Sequence, residues 1–297
     1  MRMRPTLSWT PNEDLPPGTT DLEPVVDLVR AGRVLVLTGA GISTESGIPD
    51  YRGEGGSLSR HTPMTYQDFT AGARARRRYW ARSHLGRRTF ARARPNDGHR
   101  AVAAFAREGA LAGVITQNVD GLHQAAGSDG VVELHGSLDR VVCLDCGDVS
   151  ARRELARRLE EANPGFDPVP AAINPDGDAD LTDEQVAGFH VVPCVVCGGV
   201  LKPDVVFFGE TVPVTRVEHC RELVRGAASV LVLGSSLTVM SGLRFVRQAA
   251  GAGTPVVIVN RDPTRGDTLA AARVALPLGA ALSAVAERLD IDLGRPA

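Results

Sequence analysis

The chain has 297 residues, 43% of them hydrophobic, with a formal net charge of −2. That length gives room for one large domain with an insertion or for two modest ones, and that apolar fraction is enough for a sizeable core. The near balance of charge excludes a general nucleic-acid or membrane surface, and no apolar run is long enough to span a bilayer.

In chain order, residues 1–24 mix arginines with Pro5, Pro11, Pro16, Pro17, Glu13 and Asp14. This is neither an apolar secretory core nor a clean amphipathic transit segment. It is expected to be a flexible extension on a cytoplasmic protein. A buried strand is predicted at Arg33–Leu37, ending in Gly39-Ala40-Gly41. Tyr51–Pro95 is arginine-rich, aromatic and weakly periodic, and no element is assigned there. A helical pattern over Gly98–Glu108 leads to a second strand, Gly113–Thr116, which ends in Gln117-Asn118. Within Val141–Val200, Ala151–Ala162 is predicted as an amphipathic helix. Asn163–Asp180, rich in Pro, Gly and Asp, is predicted as a surface loop. Ser229–Leu233 and Pro255–Val259 are the last buried strands, separated by a helix over Gly242–Ala250. They end in Gly234-Ser235-Ser236 and Asn260-Arg261-Asp262. Short apolar strands alternating with helices predict an α/β fold, a Rossmann-like, doubly wound parallel sheet, with ligands expected beyond the carboxyl ends of its strands. The main sheet domain is expected to use 25–50, 96–140 and 201–290, with 51–95 and 141–200 forming a smaller domain.

Four cysteines fall in two equal spacings, Cys143-Leu-Asp-Cys146 and Cys194-Val-Val-Cys197. Two C-x-x-C pairs can close a tetrahedral Cys₄ site, and the glycines after each pair let the chain turn beneath the metal. No His or Asp adds an open coordination position, so one structural zinc per chain is favoured over a catalytic one. Disulfides or plain buried cysteines are the alternative, but nothing points to an oxidising compartment. Cys220 is expected to be a small buried residue.

The glycine-rich turn continues as Gly39-Ala40-Gly41-Ile42-Ser43-Thr44-Glu45-Ser46-Gly47-Ile48-Pro49-Asp50-Tyr51-Arg52. Glycines at a strand-to-helix turn let backbone N–H groups approach a pyrophosphate. Gly39-Ala40-Gly41 alone is a weak signal, and Thr44 replaces the third glycine of the dinucleotide fingerprint. Further on come Gln117-Asn118-Val119-Asp120, Leu134-His135-Gly136, Lys202-Pro203-Asp204-Val205-Val206-Phe207-Phe208-Gly209-Glu210 and Gly234-Ser235-Ser236. With these motifs in this order, from about Val25 to about Leu289, the chain resembles the sirtuins, NAD-dependent protein lysine deacylases.

The resemblance implies a small domain built of a helical module and a Cys₄ zinc ribbon, with NAD and an acyl-lysine peptide meeting in the cleft beside the larger domain. It implies that Gly39, Ala40, Gly41, Ile42, Ser43 and Ser46 wrap the pyrophosphate and nicotinamide ribose. Asp50, Tyr51 and Arg52 would form the cofactor loop, and Gln117 would hold the ribose. Asn118, Val119 and Asp120 would line the nicotinamide pocket, with Asn118 also counted as catalytic. Gly234, Ser235, Ser236, Asn260, Arg261, Asp262 and Leu278 would take the adenosine side. His135 would be the general base, suited by an imidazole pKa near the working pH. His123 is expected to be structural or close to NAD, and His61, His84, His99, His190 and His219 to have surface or packing roles. Val206, Phe207, Phe208, Gly209 and Glu210 would clamp the peptide against Thr238–Gly242 as an added strand. The products would be nicotinamide, O-acyl-ADP-ribose and free lysine.

Arg-Tyr-Trp-Ala-Arg at 78–82 and the insert with Asn174-Pro175-Asp176-Gly177-Asp178 resemble the class II branch, known for weak deacetylation, removal of longer acyl groups and ADP-ribosyl transfer. Tyr79 and Arg82 fall at a Tyr-x-x-Arg spacing that binds acidic acyl tails in the desuccinylase branch; the alternative is a helical face of arginines. Mono-ADP-ribosyl transfer from the same site and a non-catalytic zinc-ribbon binding module are the competing functions. The expected partners are acylated lysine proteins or peptides, with no nucleic acid and no membrane, and the expected state is a monomer.

Overall fold

A computed structural model of the chain describes residues 9–11, 15–52, 62–170, 172, 174 and 177–294. His61, Pro175, Asp176 and residues 1–8 and 12–14 of the N-terminal extension lie outside the described residues.

Helix α1, Glu23–Ala31, starts with Pro24 in its first turn, where a missing N–H costs nothing, and stops at Gly32 in a positive-φ conformation (79°). Strand β1, Val34–Thr38, follows and is buried along its whole length. A 3₁₀ segment, Ala40–Ser46, leads away from it. Next come α2 (Tyr66–Thr70), α3 (Ala73–Phe90), α4 (Asp97–Arg107), β2 (Leu111–Thr116), α5 (Leu122–Ala125) and β3 (Val132–Glu133). They are followed by β4 (Gly136–Cys143), β5 (Val149–Ala151), α6 (Arg152–Ala162), α7 (Asp183–Val186) and β6 (Leu201–Val205). The chain ends with α8 (Val214–Gly226), β7 (Ser229–Leu233), α9 (Met240–Gly251), β8 (Val256–Val259), β9 (Ala272–Val274) and α10 (Leu278–Arg288).

Six strands form one parallel sheet in the order β3-β2-β1-β7-β8-β9. Successive side chains on a strand point to opposite faces. Val34, Val36, Leu231, Leu233, Val257 and Val259 therefore pack against α1, α4 and α10. Leu35, Leu37, Val230, Val232 and Ile258 pack against α8 and α9, where Cys220 is fully buried as a small apolar residue. With helices on both faces, the central strands β1, β7 and β8 read as nearly continuous apolar runs. Strand order reverses between β1 and β7, and a crevice opens there at the carboxyl ends. No helix among the described residues is long and apolar enough to cross a membrane.

A second, antiparallel sheet, β5-β4-β6, carries the cysteine pairs and shares a core with α2, α3, α6 and α7 around Phe69, Tyr79, Trp80, Leu155, Leu159 and Phe189. Its strands cross the expected boundaries: β4 begins at Gly136 and β6 runs from Leu201 to Val205. The unassigned stretch contains α3, whose residues from Tyr79 to Gly86 are all buried. A helix buried all round shows no amphipathic stripe, so its period is hidden. The expected surface loop at Asn163–Asp180 is exposed at Pro164, Gly165, Asp167 and Val169 but not throughout. Asn163, Asn174, Asp178 and Ala179 are buried, and a Cβ on Gly86 would lie 1.9 Å from the Gly177 carbonyl oxygen. The described residues Gly177–Asp180 of the insert pack directly onto α3.

Candidate active site

The crevice at the strand-order reversal is a cavity of about 610 Å³, within the range of small-molecule sites. Two loops form its floor. Gly39 N–H bonds the Leu233 carbonyl and Gly41 N–H the Gly234 carbonyl, which ties the turn after β1 to the turn after β7. A Cβ on Gly41 would lie 2.8 Å from Gly234 O, and one on Gly234 (φ 59°) would lie 2.5 Å from Ile42 N. Only glycines allow this approach, which leaves backbone facing the cavity and suits a phosphate.

Gln117 and Asn118 leave the end of β2 and bridge these loops. Gln117 Nε2 donates to Thr38 O (3.1 Å) and Ser235 Oγ (2.9 Å). Asn118 Nδ2 donates to Gly39 O (3.1 Å) and Ser43 Oγ (3.0 Å), and Ser43 Oγ donates to Asp120 Oδ2 (2.7 Å). Burial raises the Asp120 pKa, opposed by the Leu122 N–H and the Ser43 hydroxyl. The cavity wall includes Gly39, Ala40, Gly41, Ser43, Asp50, Tyr51, Arg52, Gln117, Asn118, Val119, Asp120, His135, Gly234, Ser235, Ser236, Asn260 and Asp262. Burial lowers Arg52, with Tyr51 and Asp50 opposing.

Four expected cofactor residues do not line this wall. Ile42 is buried in the core and gives its carbonyl to Asn96 Nδ2 (2.7 Å). Ser46 Oγ accepts from the same amide (2.9 Å), so both form the back of the loop. Leu278 packs behind Gly234, and Arg261 is exposed. Asn96 itself is the N-cap of α4 in a capping box with His99.

His135 sits just before β4. Its Nδ1 lies 2.9 Å from the Gln117 carbonyl oxygen, which can only accept, so the proton resides on Nδ1. Nε2 keeps its lone pair and accepts from Ser241 Oγ at 2.8 Å. Burial pushes the His135 pKa down to about 4; Arg216 and Arg244 add to the shift and the Gln117 carbonyl opposes it. The ring is therefore neutral at pH 7. Neither Ser241 nor Arg244, which also lines the cavity, carried a sequence signal beyond lying in or beside the Thr238–Gly242 stretch.

Part of the remaining wall is aromatic. Phe207 packs on Tyr79 (5.3 Å between centroids) and Phe69 (5.4 Å), and Phe208 on Tyr51 (6.0 Å). β6 stops at Val205; Val206 N–H then bonds His135 O and Phe208 pairs with Thr65. Val206, Phe207, Phe208, Gly209 and Glu210 thus border the cavity, with Glu210 accepting from Phe207 N–H (2.9 Å). Behind them is Lys202, the only lysine in the chain. It is 3% exposed, and its Nζ donates to Val205 O (2.6 Å) and Pro203 O (3.1 Å) and lies 3.2 Å from Glu210.

Arg82 corrects the expectation of an acyl-tail fork. It is buried and turned away from the cavity, with Nε donating to Ala179 O (2.8 Å) and the guanidinium 4.0 Å from Asp178 and 3.5 Å from Asp180. The insert supplies the carboxylates that a buried guanidinium needs. Tyr79, one turn earlier on α3, lines the cavity.

Cys143, Cys146, Cys194 and Cys197 are all free thiols whose sulfurs lie within 4.8 Å of one another. Separations of 3.5 and 3.9 Å match the edge of a tetrahedron with metal–sulfur distances of about 2.3 Å. Val196 and Gly199 N–H groups point at the Cys194 and Cys197 sulfurs. The donor set fits a structural zinc, at the far end of the small sheet from His135.

His123 lies behind the floor, its Nε2 3.0 Å from Thr38 Oγ1, and its ring packs edge-on against His99 at 4.9 Å. Burial holds His99 near 3, helped by His123 and Arg100, and His123 near 4. An unfolded chain titrates these rings near 6.5, so below that pH it binds protons that the fold excludes. The contribution is complete above about pH 6.5 and shrinks as pH falls towards 4. The expected loss at pH 5 is on the order of 2 kcal/mol per histidine. Denaturant titrations at pH 7.5 and 5.0 measure it. His123→Gln should flatten part of the slope, and an unchanged slope in that variant would refute the assignment.

A family model, the Sir2 family, matches residues 39–241. The chain is 82% identical over 294 residues to NAD-dependent protein deacetylase 1 of Streptomyces coelicolor, covering 99% of this chain and 98% of the relative. It is 50% identical over 275 residues to NAD-dependent protein deacetylase 1 of Corynebacterium efficiens, covering 91% and 98%. A solved structure of a Sir2 variant with a deacetylated p53 peptide and 3′-O-acetyl-ADP-ribose superposes with a TM-score of 0.73 at 29% identity, covering 91% of this chain and 99% of that one. One of Sir2 with a p53 peptide and NAD⁺ gives 0.69 at 28% identity, with the same coverage.

Proposed function

The chain belongs to the Sir2 family and is an NAD-dependent protein deacetylase, and from that premise we propose that NAD and an acylated lysine meet in the crevice between β1 and β7, with His135 as the general base. The observation that carries this reading is the fixed tautomer of His135, with a bare Nε2 facing a hydroxyl at 2.8 Å inside the cavity. When bound, NAD supplies an anomeric carbon with nicotinamide as leaving group, and ribose hydroxyls. His135 Nε2 accepts a proton from a ligand hydroxyl brought to the place Ser241 Oγ now holds. Gln117 keeps the ring aligned through its carbonyl and contacts the ribose with its amide. The Asn118–Ser43–Asp120 chain presents a carboxylate to a carboxamide N–H and holds the floor rigid. Gly39, Gly41 and Gly234 leave room for the pyrophosphate, and Asn260 and Asp262 border the adenosine side. The peptide runs between Val206–Glu210 and Thr238–Gly242, pairing with exposed backbone.

The acyl group then lies against Phe207, Tyr79 and Met64. This wall supports acetyl and longer apolar acyl groups over acidic ones, in keeping with the class II resemblance. The near-balanced charge of the chain supports acylated peptides rather than nucleic acid as partners. A panel of acyl-lysine peptides assayed with NAD for nicotinamide release tests the reading. Acetyl and apolar acyl peptides are expected to react at least about tenfold faster than succinyl or glutaryl ones, the scale of burying an uncompensated carboxylate. Arg82→Met should leave that ranking unchanged. A preference for acidic acyl groups that Arg82→Met abolishes would contradict the proposal.

A further inference from the structure

The cavity wall includes two residues from far outside the family match, Trp9 and Pro11. Their segment is anchored at the open edge of the main sheet. Thr19 N–H bonds the Arg273 carbonyl and Ala275 N–H the Thr19 carbonyl, each at 2.8 Å, so the chain adds one parallel bridge beside β9. Gly18 lies against the Arg273 guanidinium, where a Cβ would come within 2.7 Å of Nη1. That guanidinium reaches the carbonyls of Asn260 (3.4 Å) and Arg261 (3.2 Å) at the end of β8. From this anchor, about ten residues of chain reach up to roughly 33 Å, ample to enter the crevice.

Its place along the crevice follows from the anchor, which ties the segment beside the carboxyl ends of β8 and β9. Tyr51, Tyr79, Phe207 and Phe208 line the acyl and peptide side, and all four contact other aromatic rings there. The β8 end, near which the segment is tied, contributes Asn260, Asp262 and Pro263, none of them aromatic. An indole there offers a flat apolar face that a purine can stack on.

We propose that Trp9 is a binding residue for the adenine ring, closing the adenosine end of the cleft with its indole. This rests on the reading of the cleft as the NAD site. Trp9→Ala in the full, zinc-loaded chain should weaken NAD and ADP-ribose binding about tenfold, the scale of one base–aromatic stack, by calorimetry. Nicotinamide mononucleotide, which lacks adenine, and an acetyl-lysine peptide should bind as before. Trp9→Phe should retain most of the affinity. The chain has two tryptophans, and Trp80 is 1% exposed within the small-domain core. NAD should therefore quench the fluorescence of the parent and not of Trp9→Ala. Equal NAD affinity in parent and variant would overturn the role of Trp9 and leave the cleft reading standing. Tighter NAD binding by Trp9→Ala would overturn it as well, because the segment would then compete with the ligand. A parent chain that binds no NAD would overturn the cleft reading itself and this inference with it.

Discussion

Replacing His135 with alanine is expected to cut deacetylation turnover by about 10²–10⁴-fold, the contribution of a positioned general base. NAD affinity should stay within about twofold, because the two glycine loops at the cavity floor are tied to one another through Gly39, Gly41 and Gly234 without the imidazole. The ring is held at both nitrogens, by Gln117 O and Ser241 Oγ, so its removal takes away a fixed acceptor without disturbing a core side chain. The pH profile carries a second signature. With the His135 pKa near 4, the base is deprotonated throughout the neutral range. The acid limb of kcat/KM for the free enzyme should fall well below pH 6.5, the value for an exposed imidazole. Single-turnover rates and NAD titrations on the same preparation separate the two effects. Deacetylation by His135→Ala near the parent rate would remove His135 from the mechanism.

Zinc removal is expected to have the larger effect on stability. Cys143 and Cys194 are buried in the core beside the antiparallel sheet, while Cys146 and Cys197 are exposed at the outer side of the thiol cluster. Cys146→Ala or Cys197→Ala therefore removes a ligand with little loss of packing. Structural zinc in small modules contributes on the order of 10–16 kcal/mol of apparent folding free energy. The antiparallel sheet and the helices packed on it should accordingly loosen or unfold in these variants or after chelation. β6 belongs to that sheet and leads directly into Val206–Glu210, so peptide binding should fail together with it. Metal analysis should find one zinc per parent chain. Limited proteolysis should show cuts within 141–205 in the variants, with the parallel sheet still intact. Zinc-free protein with full activity would defeat this expectation.

The parallel sheet was legible because strands buried on both faces are runs of Val, Leu and Ile, as in Val34–Leu37 and Ser229–Leu233. The cysteine pairs were legible because metal geometry restricts spacing. The cavity floor was legible in part through its glycines, since Gly41 and Gly234 touch where no side chain fits. What escaped the sequence depends on distant contacts. Helix α3 lost its pattern because Arg82, Ser83 and His84 are buried beside Tyr79 and Trp80. The fate of Arg82 was decided by Asp178 and Asp180, about a hundred residues away, in a loop whose composition suggests exposure. Ile42 and Ser46 sit in a cofactor-type motif yet turn towards Asn96, and only the fold shows which side of a loop a residue takes. Ser241 reaches His135 from the first turn of α9, and no local spacing encodes that.

The burial of Lys202 has a consequence for an enzyme whose targets are lysines. Its one ε-amine is sealed among carbonyls and a carboxylate, and every other basic side chain except histidine is a guanidinium. The chain offers acyl donors no side-chain amine to modify in the folded state, so the catalyst does not compete as a substrate for its own reaction. Amine-directed tags and crosslinkers will find almost nothing on it beyond the α-amino group. In a mixed reaction, an acyl-lysine signal therefore reports on the substrate protein and not on the enzyme.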